Sequence, residues 1–459
     1  MNWTSRAIVQ ATAGSIVRGN GSHLFNRIVI DSRVITEGDL IIAVPGRRYD
    51  GHRFLAQARA NGALGAVVRK GCRGQAAGFD WVMEVEDTVK ALGALAGIQR
   101  QALKGQVFSI TGSAGKTTVK EMLTCILKGR KRVAANVGTQ NNHIGVPLTL
   151  LRADPEDQVV VVETGTSNFG ELAWLAGVTR PTHAVITNIG PAHLELFGSL
   201  DGVARAKWEL VNGMDPKGTL ILNRDDPRLQ ASAKDFSGKI VWFGTTPEAD
   251  LQVELRSEEK GQVYGTLRAD KQTHELHLPL PGKHNLLNAA AAVACAQLAG
   301  VEPEAACASL QSYMPAPGRL ELHTIAGVRF IHDAYNANPS SARAAVEALL
   351  ELPETGNRFV VFGDMAELGE EADQYHAELG RWLGKLPIAG LVTTGKLSEG
   401  LLQAAHDAGL KRGQHCESTQ QAGKVLTQWV QPQDQVLLKG SRVMQMEKVL
   451  HCFMKSSTR

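Results

Sequence analysis

The stretch FSITGSAGKTTVKEML, Phe108 to Leu123, decides how this chain is read. Its start belongs to the apolar run QVFSIT, which reads as a buried strand. Its end runs on into KTTVKEMLTCILKG, where Val119, Met122, Leu123, Ile126 and Leu127 recur at helical spacing. Between the two lies GSAG. A strand, a glycine-rich turn and a helix start form a cradle for phosphate. Gly112 and Gly115, with Ser113 and Ala114 between them, let backbone N–H groups approach an anion, and the positive end of the helix adds to the field. Lys116 has the reach for β- and γ-phosphates, and Thr117, followed by Thr118, has a hydroxyl for Mg²⁺. The common pattern G-x-x-x-x-G-K-[ST] would put a glycine at Ile110. This loop is therefore a shorter G-x-x-G-K-T-T form. The alternative is a plain glycine turn with a surface lysine, which leaves the strand-and-helix context unexplained.

Outward from that loop, 459 residues exceed one ordinary core and predict two to four domains. With 43% hydrophobic and 21% charged residues, the chain is of globular and not disordered composition. A net charge of +3 gives no reason to expect a nucleic-acid partner, and the basic cluster Lys128, Arg130, Lys131 and Arg132 reads as a solvated helix end. Cys72, Cys125, Cys295, Cys307, Cys416 and Cys452 are scattered without a CxxC. Neither a zinc site nor a disulfide framework is expected. No apolar run approaches membrane-spanning length and the N-terminus lacks a signal-like run, so a cytoplasmic setting is expected.

Three regions differ in pattern. Residues 1–85 alternate short strands (RIVIDS, LIIAVPG, LGAVVRK) with one helical stretch, GHRFLAQARANG. Residues 86–314 open on a helix and then run through QVFSIT, QVVVVETG, HAVITNIG, GTLILNRDD and KIVWFG. Apolar runs alternating with helices predict a parallel sheet covered on both faces. A β-rich insert, DLQVELRSEEKGQVYGTLRADKQTHELHLPL, precedes PGKHNLLNAAAAVACAQLAG, a loop feeding an alanine-rich helix. Residues 315–459 begin at the Pro/Gly joint YMPAPGR and repeat the alternation. The expected class is α/β in three domains: a small α/β domain, a central P-loop-type domain with a mostly parallel sheet, and a C-terminal Rossmann-like domain.

Polar groups close several of these strands. Glu163 follows Val159 to Val162, Asn188 ends HAVITN, and His193 follows in IGPAHLELFG. Ligands of open parallel sheets gather at the carboxyl ends of strands, so the loop, Glu163 and His193 should converge. A carboxylate and an imidazole beside a triphosphate suit Mg²⁺, while a histidine taken singly reads as a cap or core residue. In SLDGVARAKWELVNG, Ser199 caps a helix on which Val203, Lys207, Leu210 and Val211 share a face. Lys207 thus occupies a core-facing slot. Either it snorkels, or its amine is carbamylated and supports a metal; the residues alone leave both open.

The motifs TGSAGKTT, NNHIGVPLTLL, VVVETGTSNFGEL, NIGPAHLELFGSLDGVARAKWEL, PGKHNLLNAAAA, APGRLE, DAYNANPSS, FGDMAELG and LLKGSR occur in that order. Together they resemble the Mur ligase family, and DAYNANPSS with GDMAELG resembles its D-alanyl-D-alanine-adding branch. The resemblance covers nearly the whole chain, including DSRVITEGDLIIAVPG in the first region. It implies a domain for a UDP-sugar, a central ATPase domain and a C-terminal domain that closes over both. The activity it implies is ATP-dependent ligation of D-alanyl-D-alanine to UDP-N-acetylmuramoyl-tripeptide, in peptidoglycan precursor synthesis.

By that resemblance, Gly112 to Thr118 bind ATP, and Thr117, Glu163, His193 and carbamylated Lys207 hold Mg²⁺. Asn288 matches an adenine contact, Arg319 a residue near the phosphates, and Asp333, Tyr335 and Asn336 residues near the nucleotide. Ser32 and Arg33 are expected at the UDP-sugar, and Asn141 and Asn142 at the tripeptide end. The dipeptide is expected to meet the C-terminal domain, where Asp364 would suit its ammonium and Lys439, Ser441 and Arg442 its carboxylate. The competing reading makes these ordinary strand-to-helix turns with Asp364 as a cap. Two positions depart from the family pattern: His332 stands at a usually acidic position and Thr164 at a usually apolar one. His376, in EEADQYHAELG, is expected on a helix surface, and the base for the incoming amine is not named by the sequence. A sister ligase or folylpolyglutamate-type synthase with another amine donor, and a non-ligating ATP-binding switch, are the alternatives. The chain is expected to act as a monomer.

Overall fold

The structure, a computed structural model, describes residues 3–46, 49–353 and 355–457. Three main sheets organise it. The first has five strands in the order Ser15–Arg18, Trp81–Val85, Gly65–Arg69, Leu40–Ile42 and Ile28–Val29, parallel except for the first pair. A helix at Ser5–Thr12 packs beside it, with Thr4 Oγ1 accepting from Ala7 N. The strand periodicity of this region gave no expectation of that helix.

The central sheet has nine strands. Its parallel part runs Val133–Ala135, Val159–Glu163, Gln106–Thr111, His183–Ile186, Thr219–Asn223, Lys239–Gly244 and Leu251–Glu259. The β-rich insert is no separate layer. Its strands Gln262–Ala269 and Gln272–Leu278 extend the same sheet as an antiparallel edge. The strand Gln106–Thr111 lies between Val159–Glu163 and His183–Ile186. Chain order reverses at this point, which opens a crevice at the carboxyl ends of these strands. The helix Lys116–Leu127 starts there. Its buried face shares a core with the helix His284–Leu298, whose alanines bring the two helices close.

The third sheet has six strands in the order Glu321–Ile325, Val328–Asp333, Gln435–Lys439, Arg358–Gly363, Gly390–Thr394 and Gly413–Cys416. All pairs are parallel except the outer hairpin. Leu194, Phe197, Val203 and Ala206 from the central part share an apolar cluster with Val346, Phe362 and Met365 from this one. That contact brings the third sheet over the crevice of the second.

One expectation fails here. His376 is not a surface residue: it is fully buried in the helix Ala372–Leu383. Its Nε2 accepts from Met365 N at 3.0 Å and its Nδ1 donates to Ala372 O at 2.7 Å. Both ring nitrogens are satisfied inside the fold, so burial costs little. Thr164 is also buried, and its Oγ1 donates to Ile110 O at 3.3 Å, so the hydroxyl is absorbed by the neighbouring strand.

Candidate active site

The glycine loop leaves the strand Gln106–Thr111 and enters its helix with Gly115 at φ 82. A side chain there would be strained and would collide with Asn288 Oδ1, so only glycine fits. Asn188 fixes the loop: its carbonyl accepts from Ser113 N at 3.1 Å and its Oδ1 from Ala114 N at 2.9 Å. Ser113 Oγ also exchanges hydrogen bonds with Gly190. These N–H groups are therefore spent, and the anion donors that remain are those of the first helical turn, which have no helical partner. Lys116 Nζ lies 2.6 Å from Gly112 O, folded back over the loop. Burial lowers its pKa, Glu163 opposes the shift and Arg319 adds to it.

Beside the loop runs a chain of polar contacts. Arg319 Nη2 donates to Thr117 Oγ1 at 3.1 Å, and Thr117 Oγ1 donates to Glu163 Oε2 at 2.8 Å. Asn141 Nδ2 donates to Glu163 Oε1 at 2.7 Å. Asn136 clamps the Glu163 backbone, accepting from its N at 2.9 Å and donating to its O at 3.0 Å. Lys120, a fully buried lysine that the sequence reading passed over, donates to Asn136 O at 2.9 Å and Gly138 O at 2.6 Å. It lies one helical turn after Lys116 and three residues from the buried Thr117 and Leu123, a core-facing slot that was the available signal.

Lys207 is 2% exposed on the helix Leu200–Asn212, which Ser199 Oγ caps by accepting from Gly202 N. Among the described residues its ammonium makes no hydrogen bond or ion pair. Burial, and then repulsion from Lys116, lower its pKa well below the ordinary lysine value. The neutral amine this favours is the form that adds to CO₂. His193 sits at φ 54, at the start of the short helix Leu194–Phe197. Its Nδ1 is 2.7 Å from Glu367 Oε2, out of hydrogen-bond alignment, and is a buried nitrogen without a hydrogen bond.

From the third sheet, Arg319 stacks over the Tyr335 ring at 4.3 Å, and Tyr335 OH meets Thr139 Oγ1. Asp333 accepts from Leu320 N at 3.2 Å and from Lys439 Nζ at 2.6 Å. Lys439 also donates to Asn336 O at 2.9 Å, so its buried ammonium is committed within the protein, not held out for a carboxylate. Asn288 Nδ2 donates to Asn285 Oδ1 at 3.0 Å.

A cavity of about 1040 Å³ joins these groups. Its wall includes Lys116, Thr118, Asn141, Asn142, Glu163, His193, Asn288, Arg319, Asp333, Tyr335, Asn336 and Lys439. Gly112, Thr117 and Lys207 belong to the same region but do not line it. Five of the expected site residues lie elsewhere. Ser32 is buried against Gln57 Oε1, and Arg33 is paired with Asp31 at 2.7 Å. Asp364 Oδ1 accepts from Ser398 N and Oγ, in the first turn of the helix Lys396–Asp407. Ser441 Oγ accepts from Ala366 N at 2.8 Å, and Arg442 is paired with Glu447 at 3.0 Å. The contacts of these last three are all within the protein.

Family profiles match all three parts of the chain. The profile described as Mur ligase family, catalytic domain covers residues 25–98, Mur ligase middle domain 110–296, and Mur ligase, glutamate ligase domain 318–442. A curated UDP-N-acetylmuramoyl-tripeptide–D-alanyl-D-alanine ligase of Bacillus subtilis is 34% identical over 94% of this chain and 93% of its own. The chain belongs to the Mur ligase family. Among solved structures, a MurF from Acinetobacter baumannii superposes with a TM-score of 0.90 at 34% identity over 99% of both chains. A MurF ligase from Thermotoga maritima, solved in complex with ADP, gives 0.84 at 30% identity over 94% of this chain and 98% of that one. The resemblance read from the motifs therefore holds for the whole length of this Mur ligase, and its branch is the MurF branch.

Proposed function

We propose that this Mur ligase joins D-alanyl-D-alanine to UDP-N-acetylmuramoyl-tripeptide at the expense of ATP, in the synthesis of a peptidoglycan precursor. The observation that carries this reading is the line from Arg319 through Thr117 to Glu163 beside the glycine loop. It joins the turn that precedes the third sheet to the helix of the glycine loop and to a strand of the central sheet. The functional units are residues 1–85 for the UDP-sugar, 86–314 for ATP and 315–459 for closure, with a hinge at Pro315 to Gly318. The protein acts as a cytoplasmic monomer. Among the described residues no helix is long and apolar enough to cross a membrane.

A carboxylate does not condense with an amine unaided, because oxide is a poor leaving group. The tripeptide carboxylate therefore attacks the γ-phosphorus, the bond to ADP breaks, and an acyl phosphate forms. The dipeptide amine then attacks the acyl carbon, loses a proton, and phosphate departs. The work of the protein is positioning and charge placement. Lys116 and the first turn of its helix hold the phosphates, and Arg319 brings a further cation when the C-terminal unit closes. Asn288 orients the adenine end, with Asp333, Tyr335 and Asn336 along the nucleotide. Asn141 and Asn142 face the tripeptide end. Ser32 and Arg33 serve the UDP-sugar, and the loops of Asp364, Ser441 and Arg442, near Lys439, serve the dipeptide.

The donor set fits Mg²⁺: hydroxyl and carboxylate oxygens of Thr117 and Glu163 lie 2.8 Å apart, and His193 Nδ1, 2.7 Å from Glu367 Oε2, has no aligned hydrogen bond. Thr117, Glu163, His193 and Lys207 as its carbamate would hold it. When bound, the ion supplies charge neutralisation at the phosphates.

The deciding experiment is phosphate release from ATP with UDP-N-acetylmuramoyl-tripeptide, with and without D-alanyl-D-alanine. Release only with both, and a pentapeptide product by mass, is the expected result. Release with a different amine would move the chain to a sister activity. No stimulated release with any pair would leave only an ATP-binding switch.

A further inference from the structure

The outer hairpin of the C-terminal sheet carries a cluster that the ligase reading does not use. Glu321 and His323 project from the same face of the strand Glu321–Ile325, two residues apart. His332 is the direct cross-strand partner of Glu321. Glu321 Oε1 lies 3.4 Å from His323 Nε2, and its Oε2 lies 3.6 Å from His332 Nδ1. One ligand atom from each residue falls within 4.8 Å of the other two, and all three side chains are partly buried. The two imidazoles, 6.2 Å apart at 46°, converge without stacking.

These spacings suit an ion better than a salt bridge. A charge-assisted hydrogen bond would contract to about 2.8 Å. Donor atoms on a tetrahedral ion at about 2.0–2.1 Å stand about 3.3 Å apart.

We propose that Glu321, His323 and His332 form a site for one divalent transition-metal ion of the zinc class, separate from the nucleotide cavity. Two imidazoles and one carboxylate select such an ion over Mg²⁺, which prefers oxygen ligands and keeps its water. The site adjoins the chain that delivers Arg319. Glu321 Oε2 accepts from Gly318 N at 3.1 Å, and His332 directly precedes Asp333. An ion here ties the Gly318 turn to both strands of the hairpin and so stiffens the seat of Arg319.

The test uses the full chain, stripped of metal by chelation and titrated with Zn²⁺ against a chromophoric chelator, with Mg²⁺ in excess. Wild type is expected to bind one more Zn²⁺ per chain than the double variant H323A/H332A. Co²⁺ is expected to give visible bands of low coordination number in wild type alone. Zn²⁺ should raise the wild-type Tm by about 2–4 °C and leave that of the double variant unmoved. ADP binding by the double variant reports its fold. Should it fail to fold, H323Q, at the more exposed ligand, is expected to weaken Zn²⁺ binding at least tenfold. Equal Zn²⁺ stoichiometry in wild type and double variant, or unchanged affinity in H323Q, overturns the proposal and leaves Glu321 as a carboxylate shared by two imidazoles.

Discussion

Arg319 reaches across from the turn before the third sheet and donates to the hydroxyl of Thr117, the residue that in turn bonds Glu163. The glycine loop is therefore joined by a side chain from another part of the molecule. Arg319→Ala is expected to lower kcat/KM by about 10²–10³-fold, the usual cost of one transition-state donor. ADP binding and Tm should change little. Steady-state phosphate release measures the effect, and a loss under threefold would remove Arg319 from the reaction.

Lys207 has a different kind of importance. It is buried, without a partner among the described residues, and its pKa is pushed down by burial and by Lys116. Lys207→Ala is expected to abolish turnover, and a short carboxylic acid such as acetate to restore part of it. Added bicarbonate should raise the activity of CO₂-depleted wild type and leave the rescued variant unchanged. Full activity without any added acid would take the lysine out of the mechanism.

His376 supports the loop that follows the strand Arg358–Gly363. Replacing it with Phe leaves Met365 N buried without an acceptor, a cost of about 1–3 kcal/mol. Denaturant melts should show this at pH 7.5. Burial lowers the His376 pKa, so the folded state holds the neutral ring. The unfolded chain takes a proton first as pH falls below about 6.5. This contribution is therefore present above that value and is lost as pH falls toward the lowered folded pKa. A variant whose stability follows the same acid profile as wild type would contradict the assignment.

Glu258, on the strand Leu251–Glu259, and Glu351, which ends the helix Pro339–Leu350, form a carboxyl pair between the central and C-terminal parts. Burial first, then the neighbouring Glu351 carboxylate, push the Glu258 pKa up to about 8. Its folded pKa exceeds the unfolded value, so the pair's stability is complete below about 4.5. It is lost as pH rises through about 8. Glu258→Gln, which cannot ionise, should flatten Tm between pH 6 and 9. An unchanged slope would show that the pair does not share a proton.

Local chemistry was legible where it depends on neighbours in the chain. The glycine loop, its helix, the cap at Ser199 and the core-facing Lys207 all follow from spacing, because strand and helix periodicities fix which side chains share a face. The β-rich insert was seen as strands, yet its place on the edge of the central sheet was not. Strand pairing is a long-range choice that periodicity does not encode. The helix Ser5–Thr12 escaped because it is short and its burial depends on a sheet completed by strands as distant as Trp81–Val85.

The sequence by itself determined the class of this protein, its glycine loop and the residue types of its candidate site. Only the tertiary structure decided which of those residues meet. It buried His376 with both nitrogens satisfied, committed Lys439 to Asp333, turned Asp364 toward Ser398, and made Lys120 the anchor of the segment that holds Glu163. A side chain's hydrogen-bond partner is set by where distant elements pack. A buried polar group takes the nearest partner that the packed fold offers, because leaving it unpaired costs more than any local preference gains.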